Sequence, residues 1–191
     1  MPEPDTIRSF IAVELQKPVQ DALQKIQEQL KTCHPDVKWV KPANIHLTLK
    51  FLGEAPGARI QTVKDQLPSW VAGVSPFSIT LNTLGAFPHI RQPRVIWAGL
   101  QEGPSSPLFL LAGTIEKETH RLGFAQEKKA FTAHVTIGRI RSAHNIKPLA
   151  EILAQCKVPA NLTQTVQSVS LLKSTLTPQG PIYDIVSTVS L

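Results

Sequence analysis

Cysteine is scarce in this sequence, and the two cysteines are not arranged to act together. Cys33 and Cys156 lie far apart, and neither belongs to a CxxC pair. Disulfide-stapled folds need several cysteines, and cysteine zinc sites need closely spaced pairs. The sequence therefore indicates neither class of protein, and a reducing cytoplasm is the expected location.

Long apolar runs are also missing. No stretch approaches the roughly 20 apolar residues that a membrane-spanning helix needs. Residues 1–6 are acidic and contain proline, whereas a secretion signal begins with basic residues followed by an apolar core. We therefore expect a protein that has no secretion signal and no membrane partner.

Signatures of two common catalytic sites are absent as well. The sequence contains no HxH and no HExxH, and no strand pattern places a carboxylate in phase with a histidine, so no metal site is expected. A serine hydrolase of the common type would show a GxSxG elbow, and the sequence has none. Nothing in the sequence indicates a cofactor.

The charge balance indicates a class of partner, and the length indicates the size of the domain. The formal net charge of +6 favours an anionic partner such as nucleic acid or a phosphorylated small molecule, although the basic residues are spread along the chain. With 191 residues and a hydrophobic share of 42%, the chain can build a sizeable core. We expect residues 1–191 to form a single domain of two lobes, acting as a monomer.

One four-residue pattern occurs twice. The sequence His-Leu-Thr-Leu occupies residues 46–49, and His-Val-Thr-Ile occupies residues 134–137, so both have the form HxTx. The side-chain period of a strand is two, so the apolar pair of each copy faces the core while the histidine and threonine share the other face. The repetition predicts two lobes, each presenting one imidazole and one hydroxyl to a shared cleft.

These residue types suit acid–base chemistry at a phosphate. Imidazole titrates near neutral pH, so His46 and His134 can act as general acid and general base on opposite sides of one reacting centre. Thr48 and Thr136 can donate hydrogen bonds to the non-bridging oxygens of a phosphate. Two packed or surface histidines are the alternative for either copy alone, but the shared format of both copies favours catalysis.

The remaining periodicity predicts an α+β chain. Several strands follow one another directly in sequence, so antiparallel pairing with helices on the outer faces is expected. Residues 85–93, which carry Phe87, are rich in turn-forming residues and predict a long loop beside the cleft. Residues 178–181 predict a turn. Helices are predicted over 19–30, 57–71, 106–122 and 147–156, and further strands over 9–14, 37–40, 77–84, 94–100, 165–172 and 182–189.

The motifs resemble those of a known family. HLTLKFLGE at 46–54, HVTIGRI at 134–140, RSFIAVEL at 8–15 and PRVIWAGL at 93–100 are similar to the 2H phosphoesterases. The likeness is to the bacterial and archaeal RNA 2′,3′-cyclic phosphodiesterases, also called 2′-5′ RNA ligases. It implies a bilobal α+β fold with two antiparallel sheets, related by pseudo-twofold symmetry around a central cleft, and with helices on the outer faces.

The resemblance also implies an activity and residue roles. The activity is metal-independent hydrolysis of 2′,3′-cyclic phosphates, at RNA ends or on nucleotides, to 2′-phosphates. Carried onto this chain, it makes His46 the proton donor to the departing 3′ oxygen and His134 the acceptor that activates water. Thr48 and Thr136 would bind the phosphate.

Face assignments at the strand ends decide which other residues reach the cleft. Strict alternation places Lys50 beside the polar residues of the first motif and Phe51 in the core. Arg139 matches an arginine that is frequent in the family and would bind substrate. Alternation points Arg139 away from the cleft, so a bulge at Gly138 would be needed to bring it to the phosphate.

Two other functions stay open at this stage. The basic balance also suits a protein that chiefly binds RNA ends or nucleotides and turns them over slowly. Ligation of RNA ends through a 2′-5′ linkage would be the reverse chemistry at the same site, and its equilibrium in water favours cleavage. Replacing both histidines by alanine would separate an enzyme from a binding protein.

Overall fold

The computed structural model describes residues 5–178 and 180–191. In this part of the chain, nine strands and four α-helices follow one another, with a short 3₁₀ turn at Pro42–Asn44 before the third strand. The strands are β1 (Thr6–Glu14), β2 (Val37–Trp39), β3 (His46–Pro56), β4 (Phe77–His89), β5 (Gln92–Leu100), β6 (His134–Ile140), β7 (Leu162–Val166), β8 (Ser168–Thr177) and β9 (Gly180–Ser190). The helices are α1 (Lys17–Lys31), α2 (Gly57–Val71), α3 (Pro107–Arg121) and α4 (Ile146–Gln155).

All nine strands belong to one antiparallel sheet. Eight of them lie on the path β7-β4-β5-β6-β3-β1-β8-β9, and β2 pairs with β6 beside this path. Every registered pairing is antiparallel. The predicted α+β class with antiparallel strands is therefore confirmed. Among the described residues, no helix is both long enough and apolar enough to cross a membrane.

The two motif strands meet in the middle of this sheet. Among the described residues, β3 and β6 share a single registered pair, Leu47 with Val135, whereas β3 and β1 are paired along most of their length. Three further strands lie on each side of this junction. They are β5, β4 and β7 beyond β6, and β1, β8 and β9 beyond β3. The two predicted sheets are thus two halves joined at one point: β7, β4, β5 and β6, with β2 beside β6, form one half, and β3, β1, β8 and β9 form the other. Their pseudo-twofold relation stays a prediction.

Apolar side chains from the sheet and the helices form the main core. In α1, Val19, Leu23, Ile26 and Leu30 recur at helical spacing and are buried against the sheet. Leu47 and Val135 are fully buried in the same cluster, so the helices cover the face to which these two residues point. A second, smaller apolar cluster contains Phe10, Ala12 and Leu172, with Tyr183 packed against it.

A bulge interrupts β3 at Leu49. Thr48 pairs with Ala12 of β1. Lys50 pairs with the preceding residue of β1, so Leu49 has no counterpart in this ladder. One extra residue reverses the alternation of faces beyond it. The alternation-based placement of the next two residues was therefore wrong: Lys50 turns into the core at 2% exposure, and Phe51 turns outward at 55%.

The same interruption occurs in β6 at Ile137. Thr136 pairs with Trp97 of β5, and Gly138 pairs with the residue before Trp97, so Ile137 has no counterpart. The buried side-chain amide of Gln27 donates a hydrogen bond of 2.8 Å to the backbone oxygen of Ile137. This bulge reverses the alternation, and Arg139 then points to the same face as the polar residues of the motif.

Two predicted boundaries are wrong. Residues 85–93 are not a loop, because they continue β4 and β5 as a long hairpin that turns at residues 90–91. Residues 165–172 are not one strand, because the chain changes partner at Gln167: β7 pairs with β4, and β8 pairs with β1 in the other half. Part of the predicted turn at 178–181, and the start of the 1–6 segment, lie outside the described residues.

Lys50 forms a buried ionic network with α3. Its ammonium lies 2.8 Å from the Glu116 carboxylate and donates a hydrogen bond of 2.7 Å to the backbone oxygen of Ala125. Glu116 in turn accepts a hydrogen bond of 2.9 Å from the backbone N–H of Glu127. The ion pair therefore fixes the segment that leads from α3 towards β6.

We expect Lys50→Met to lower the free energy of unfolding by about 2–4 kcal/mol, because Glu116 and the Ala125 carbonyl lose their buried donor. Urea unfolding measures the change. Lys117→Met, on the exposed side of α3, is the matched control and should stay within about 0.5 kcal/mol of the parent. Equal stability of both variants would show that the buried pair contributes nothing.

Candidate active site

His46 begins β3, directly after the 3₁₀ turn. Its Nδ1 lies 2.9 Å from the backbone oxygen of Asn44. A carbonyl oxygen can only accept, so Nδ1 carries the proton and Nε2 is left as the free basic nitrogen. The ring stacks on Phe10 with centroids 4.6 Å apart, and Tyr183 meets it edge-on at 5.2 Å. The backbone thus sets the tautomer and the two aromatic rings hold the imidazole in place.

Burial lowers the pKa of His46, because the surrounding side chains remove the imidazolium from water. The hydrogen bond to Asn44 opposes this effect, and the positive charge of Arg139 lowers the pKa further. The neutral form of His46 is therefore favoured in the free protein. A bound phosphate, being an anion, would act in the opposite direction and favour the imidazolium.

His134 is held in the same way at the start of β6. Its Nδ1 lies 2.7 Å from the backbone oxygen of Thr132, again two residues upstream, so its free nitrogen is also Nε2. Phe87 meets the ring edge-on at 5.0 Å, and the Trp97 ring lies 6.3 Å away. Each imidazole thus has one backbone acceptor and two aromatic neighbours.

The junction of β3 and β6 brings the four motif side chains to one face. The antiparallel register places His46 across from Thr136, and Thr48 across from His134, on either side of the single registered pair. That pair is buried on the helix side of the sheet, and the four polar residues are half-buried. The structure therefore brings together the two histidines and the two threonines that the sequence predicts as site residues.

Arg139 joins this face beyond the bulge in β6. Its positive charge acts on the pKa of His46, and it also opposes the rise that burial causes in the pKa of Tyr183. Arg8 exerts the same effect on Tyr183. The bulge thus turns Arg139 to the face of the first histidine, which is the condition under which the sequence allowed it to bind substrate.

Sequence reasoning missed three of the aromatic neighbours of the histidines, which are Phe10, Tyr183 and Trp97, and it placed Phe87 in a loop. The Trp97 ring lies so close to Gly85 that a Cβ added there would stand 2.3 Å from it. A Cβ on Gly99 would stand 2.7 Å from the same ring. The sequence contains both glycines, but only the strand register shows that they leave room for the Trp97 ring.

Together these side chains define a class of site. Two free Nε2 nitrogens can exchange protons with a bound group, while hydroxyl and guanidinium donors can hold an anion between them. In residues 5–178 and 180–191, no group of three or more His, Cys, Asp or Glu side chains is placed to ligate one metal ion. The fold and the site are those of an α+β protein with a duplicated acid–base motif suited to phosphate esters.

The chain belongs to the LigT-like phosphoesterase family. The family profile, described as LigT like Phosphoesterase, matches residues 13–97 and again residues 99–183. Each match contains one copy of the HxTx motif. The family assignment thus also reflects an internal duplication of the chain.

Relatives and solved structures agree with this assignment. A protein named RNA 2′,3′-cyclic phosphodiesterase from Methanothermobacter thermautotrophicus is 34% identical over 93% of this chain and 95% of its own length. A protein of the same name from Archaeoglobus fulgidus is 32% identical over 93% and 96%. The crystal structure of E. coli LigT complexed with 3′-AMP matches with a TM-score of 0.81 and 22% identity over 98% and 99% of the two chains, which supports the fold.

We expect Arg139→Gln to raise the pKa of His46, because it removes a positive charge that disfavours the imidazolium. An NMR titration of the imidazole CH resonances measures this change. The resonances of His120, on the outer helix α3, serve as the internal reference. A fall in the His46 pKa, or no change, would contradict the position inferred for the guanidinium.

Proposed function

We propose that this protein hydrolyses 2′,3′-cyclic phosphates, at RNA ends or on nucleotides, to 2′-phosphates by two-histidine acid–base catalysis. The observation that carries the proposal is the junction of β3 and β6, where two imidazoles with free Nε2 atoms share one face. The name RNA 2′,3′-cyclic phosphodiesterase, given to relatives that align over 93% of this chain, supports the substrate class.

The proposed reaction consumes one water. His134 takes a proton from the water as its oxygen forms a bond to phosphorus. The bond from phosphorus to the 3′ oxygen breaks in line with this attack, and His46 gives its proton to the departing oxygen. The phosphate stays on the 2′ oxygen. His134 then carries the added proton and His46 is neutral, so exchange with solvent restores both rings.

The negative charge of the phosphate is held by side chains of the site, and it also affects the protonation of His46. Thr48 and Thr136 donate hydroxyl hydrogen bonds to the non-bridging oxygens, where negative charge grows in the transition state. Arg139 adds a positive charge on the same side. The bound anion favours the imidazolium of His46 and so offsets the effect of burial on its pKa. Substrate binding thus favours the protonated form of His46, which is the form that a proton donor needs.

We further propose that residues 1–191 act as a single bilobal domain and as a monomer in the cytoplasm. Both histidines and both threonines come from one chain, so the site needs no second copy. The thiols of Cys33 and Cys156 are free, which suits a reducing compartment. Equilibrium sedimentation tests the oligomeric state.

The central test is hydrolysis without metal. EDTA-treated protein should convert a nucleoside 2′,3′-cyclic phosphate to the 2′-phosphate, as followed by phosphorus NMR. We expect His46→Ala and His134→Ala each to lower kcat by about 10²–10⁴-fold, because each removes one proton-transfer step. His120→Ala, on the exposed side of α3, is the matched control and should keep the parent rate.

Two results would contradict this function. One is unchanged substrate with the parent protein, and the other is activity that appears only when metal is added. If the parent protein binds RNA ends without turnover and the histidine variants keep its affinity, the protein is instead a binding protein.

The threonines make a separate prediction. We expect Thr48→Val and Thr136→Val each to lower kcat by about 10²-fold or more, because each removes a hydroxyl donor to the developing charge while keeping the side-chain shape. Steady-state kinetics with the cyclic nucleotide measure the loss. Thr48→Ser and Thr136→Ser keep the hydroxyl and should retain most of the rate. A valine variant with parent kcat would remove that threonine from the mechanism.

A further inference from the structure

We propose that the ring of Phe51 is the surface on which the base of the terminal nucleotide stacks. This inference rests on the proposed function and deepens it, because it names the side chain that favours a nucleoside cyclic phosphate over a cyclic phosphate without a base. An aromatic ring can stack on any base, since every base has a flat π face. The expected substrate class is therefore a nucleotide end of any sequence.

Phe51 lies on the site face of the sheet. It pairs with Phe10 of β1, and directly opposite residues of antiparallel strands point to the same face. Phe10 stacks on His46, and the two phenylalanine rings have centroids 6.1 Å apart. The residues on either side of Phe51, which are Lys50 and Leu52, are buried. The Phe51 ring therefore continues the row of aromatic side chains that begins at the first histidine.

The exposure of Phe51 is a result of the bulge in β3. A regular strand would place this ring in the core, where its burial would stabilise the fold, and the bulge at Leu49 instead leaves it 55% exposed. A single exposed apolar residue is ordinary on a protein surface, so the location decides its meaning. Here the exposed ring stands beside the candidate site and suits a ligand with a flat apolar face.

The duplicated motif puts Phe51 and Arg139 at corresponding positions. Each follows its motif threonine by three residues, and each lies beyond a bulge at the residue after that threonine. Arg139 supplies a positive charge for the phosphate in the proposed function, whereas Phe51 offers an uncharged flat ring. The two corresponding positions thus suit the two parts of a nucleotide, the anionic phosphate and the aromatic base.

The proposed reaction places the nucleoside on the same half of the sheet as Phe51. Water attacks phosphorus from the side of His134, and the 3′ oxygen departs on the opposite side, towards His46. The 2′ and 3′ oxygens belong to one ribose, so the ribose lies on the side of the departing oxygen. The base is attached to the ribose carbon next to the 2′ carbon. It therefore lies over the half that contains β1 and β3.

The other aromatic rings of this group are less suited to stacking on a base. Phe10 is 3% exposed, and the His46 ring already stacks on it. Tyr183 is half-buried and meets both Phe10 and His46 edge-on, with centroids 5.0 and 5.2 Å away. Of these rings, Phe51 has the largest exposed fraction.

The test compares two substrates that differ only in the base. Adenosine 2′,3′-cyclic phosphate carries a base, and methyl β-ribofuranoside 2,3-cyclic phosphate carries a methoxy group in its place. We expect the parent protein to prefer the adenosine compound in kcat/KM. Phe51→Leu should reduce this preference about tenfold, because it removes the stacking ring and keeps an apolar side chain. The kcat/KM for the substrate without a base should stay at the parent value.

Two variants serve as controls. Phe51→Tyr keeps an aromatic ring and should retain the preference for the adenosine compound. Leu110→Ala shortens another exposed apolar side chain, which is 62% exposed on the outer helix α3, and should also retain it. If Phe51→Leu lowers kcat/KM equally for both substrates, the residue only supports the shape of the site, and the inference is overturned.

Binding gives a second measurement that does not need turnover. Isothermal titration calorimetry at constant ionic strength compares adenosine 2′-phosphate, the proposed product, with inorganic phosphate. Phe51→Leu should raise the Kd of adenosine 2′-phosphate about tenfold, because the stacking contact is lost. The Kd of inorganic phosphate, which has no base, should not change.

The outcomes separate this inference from the proposed function. If the parent protein hydrolyses both cyclic phosphates and Phe51→Leu leaves their kcat/KM ratio unchanged, the stacking role is wrong while the proposed function stands. If Trp97→Leu removes the preference and Phe51→Leu keeps it, the base lies on the His134 half, which also overturns the inference. If neither substrate is hydrolysed, the proposed function fails, and the Kd of adenosine 2′-phosphate decides. An unchanged Kd in Phe51→Leu, or no binding by the parent, would overturn the stacking role.

Discussion

The pairing of Leu47 with Val135 is the constraint on which the candidate site depends. This pair is fully buried, so the apolar core holds β3 and β6 together at one position. The motif residues on either side are thereby turned to the opposite face of the sheet. Each half of the sheet contributes one motif histidine to this face. The site exists because hydrophobic packing on one side of the sheet fixes polar neighbours on the other.

Both motif strands depart from regular pleating immediately after their threonines. The bulge in β3 sends Lys50 to Glu116 in the core, and the bulge in β6 sends Arg139 to the site. The Ile137 carbonyl at the second bulge accepts hydrogen bonds from the backbone N–H of Val40 and from the buried side-chain amide of Gln27. The irregularities are thus built into the packing, and they decide which charges face the reacting centre.

Local patterns in the sequence were sufficient to predict the helices, the two motif strands and the shared face of the four motif residues. Their signals, a period of two or of 3.6, are contained within a few residues. The face to which Arg139 points could not be predicted from such patterns, because it depends on a bulge, and a bulge is defined by how a strand pairs with its neighbour. The same holds for Trp97, whose ring needs Gly85 and Gly99 beside it, and for Gln167, where an unbroken strand pattern changes partner.

The identical anchoring of the two imidazoles has a consequence for the direction of proton flow. Each ring is tied by Nδ1 to a carbonyl two positions upstream, so hydrogen bonding within the motifs treats both rings alike. A difference between the proposed donor and the proposed acceptor must lie outside the motifs, and the burial of His46 beside a guanidinium is such a difference. In a duplicated chain, the surroundings of two equivalent groups can diverge while the groups themselves stay the same. Asymmetry of reaction would then arise from the surroundings of the two rings and not from the rings themselves.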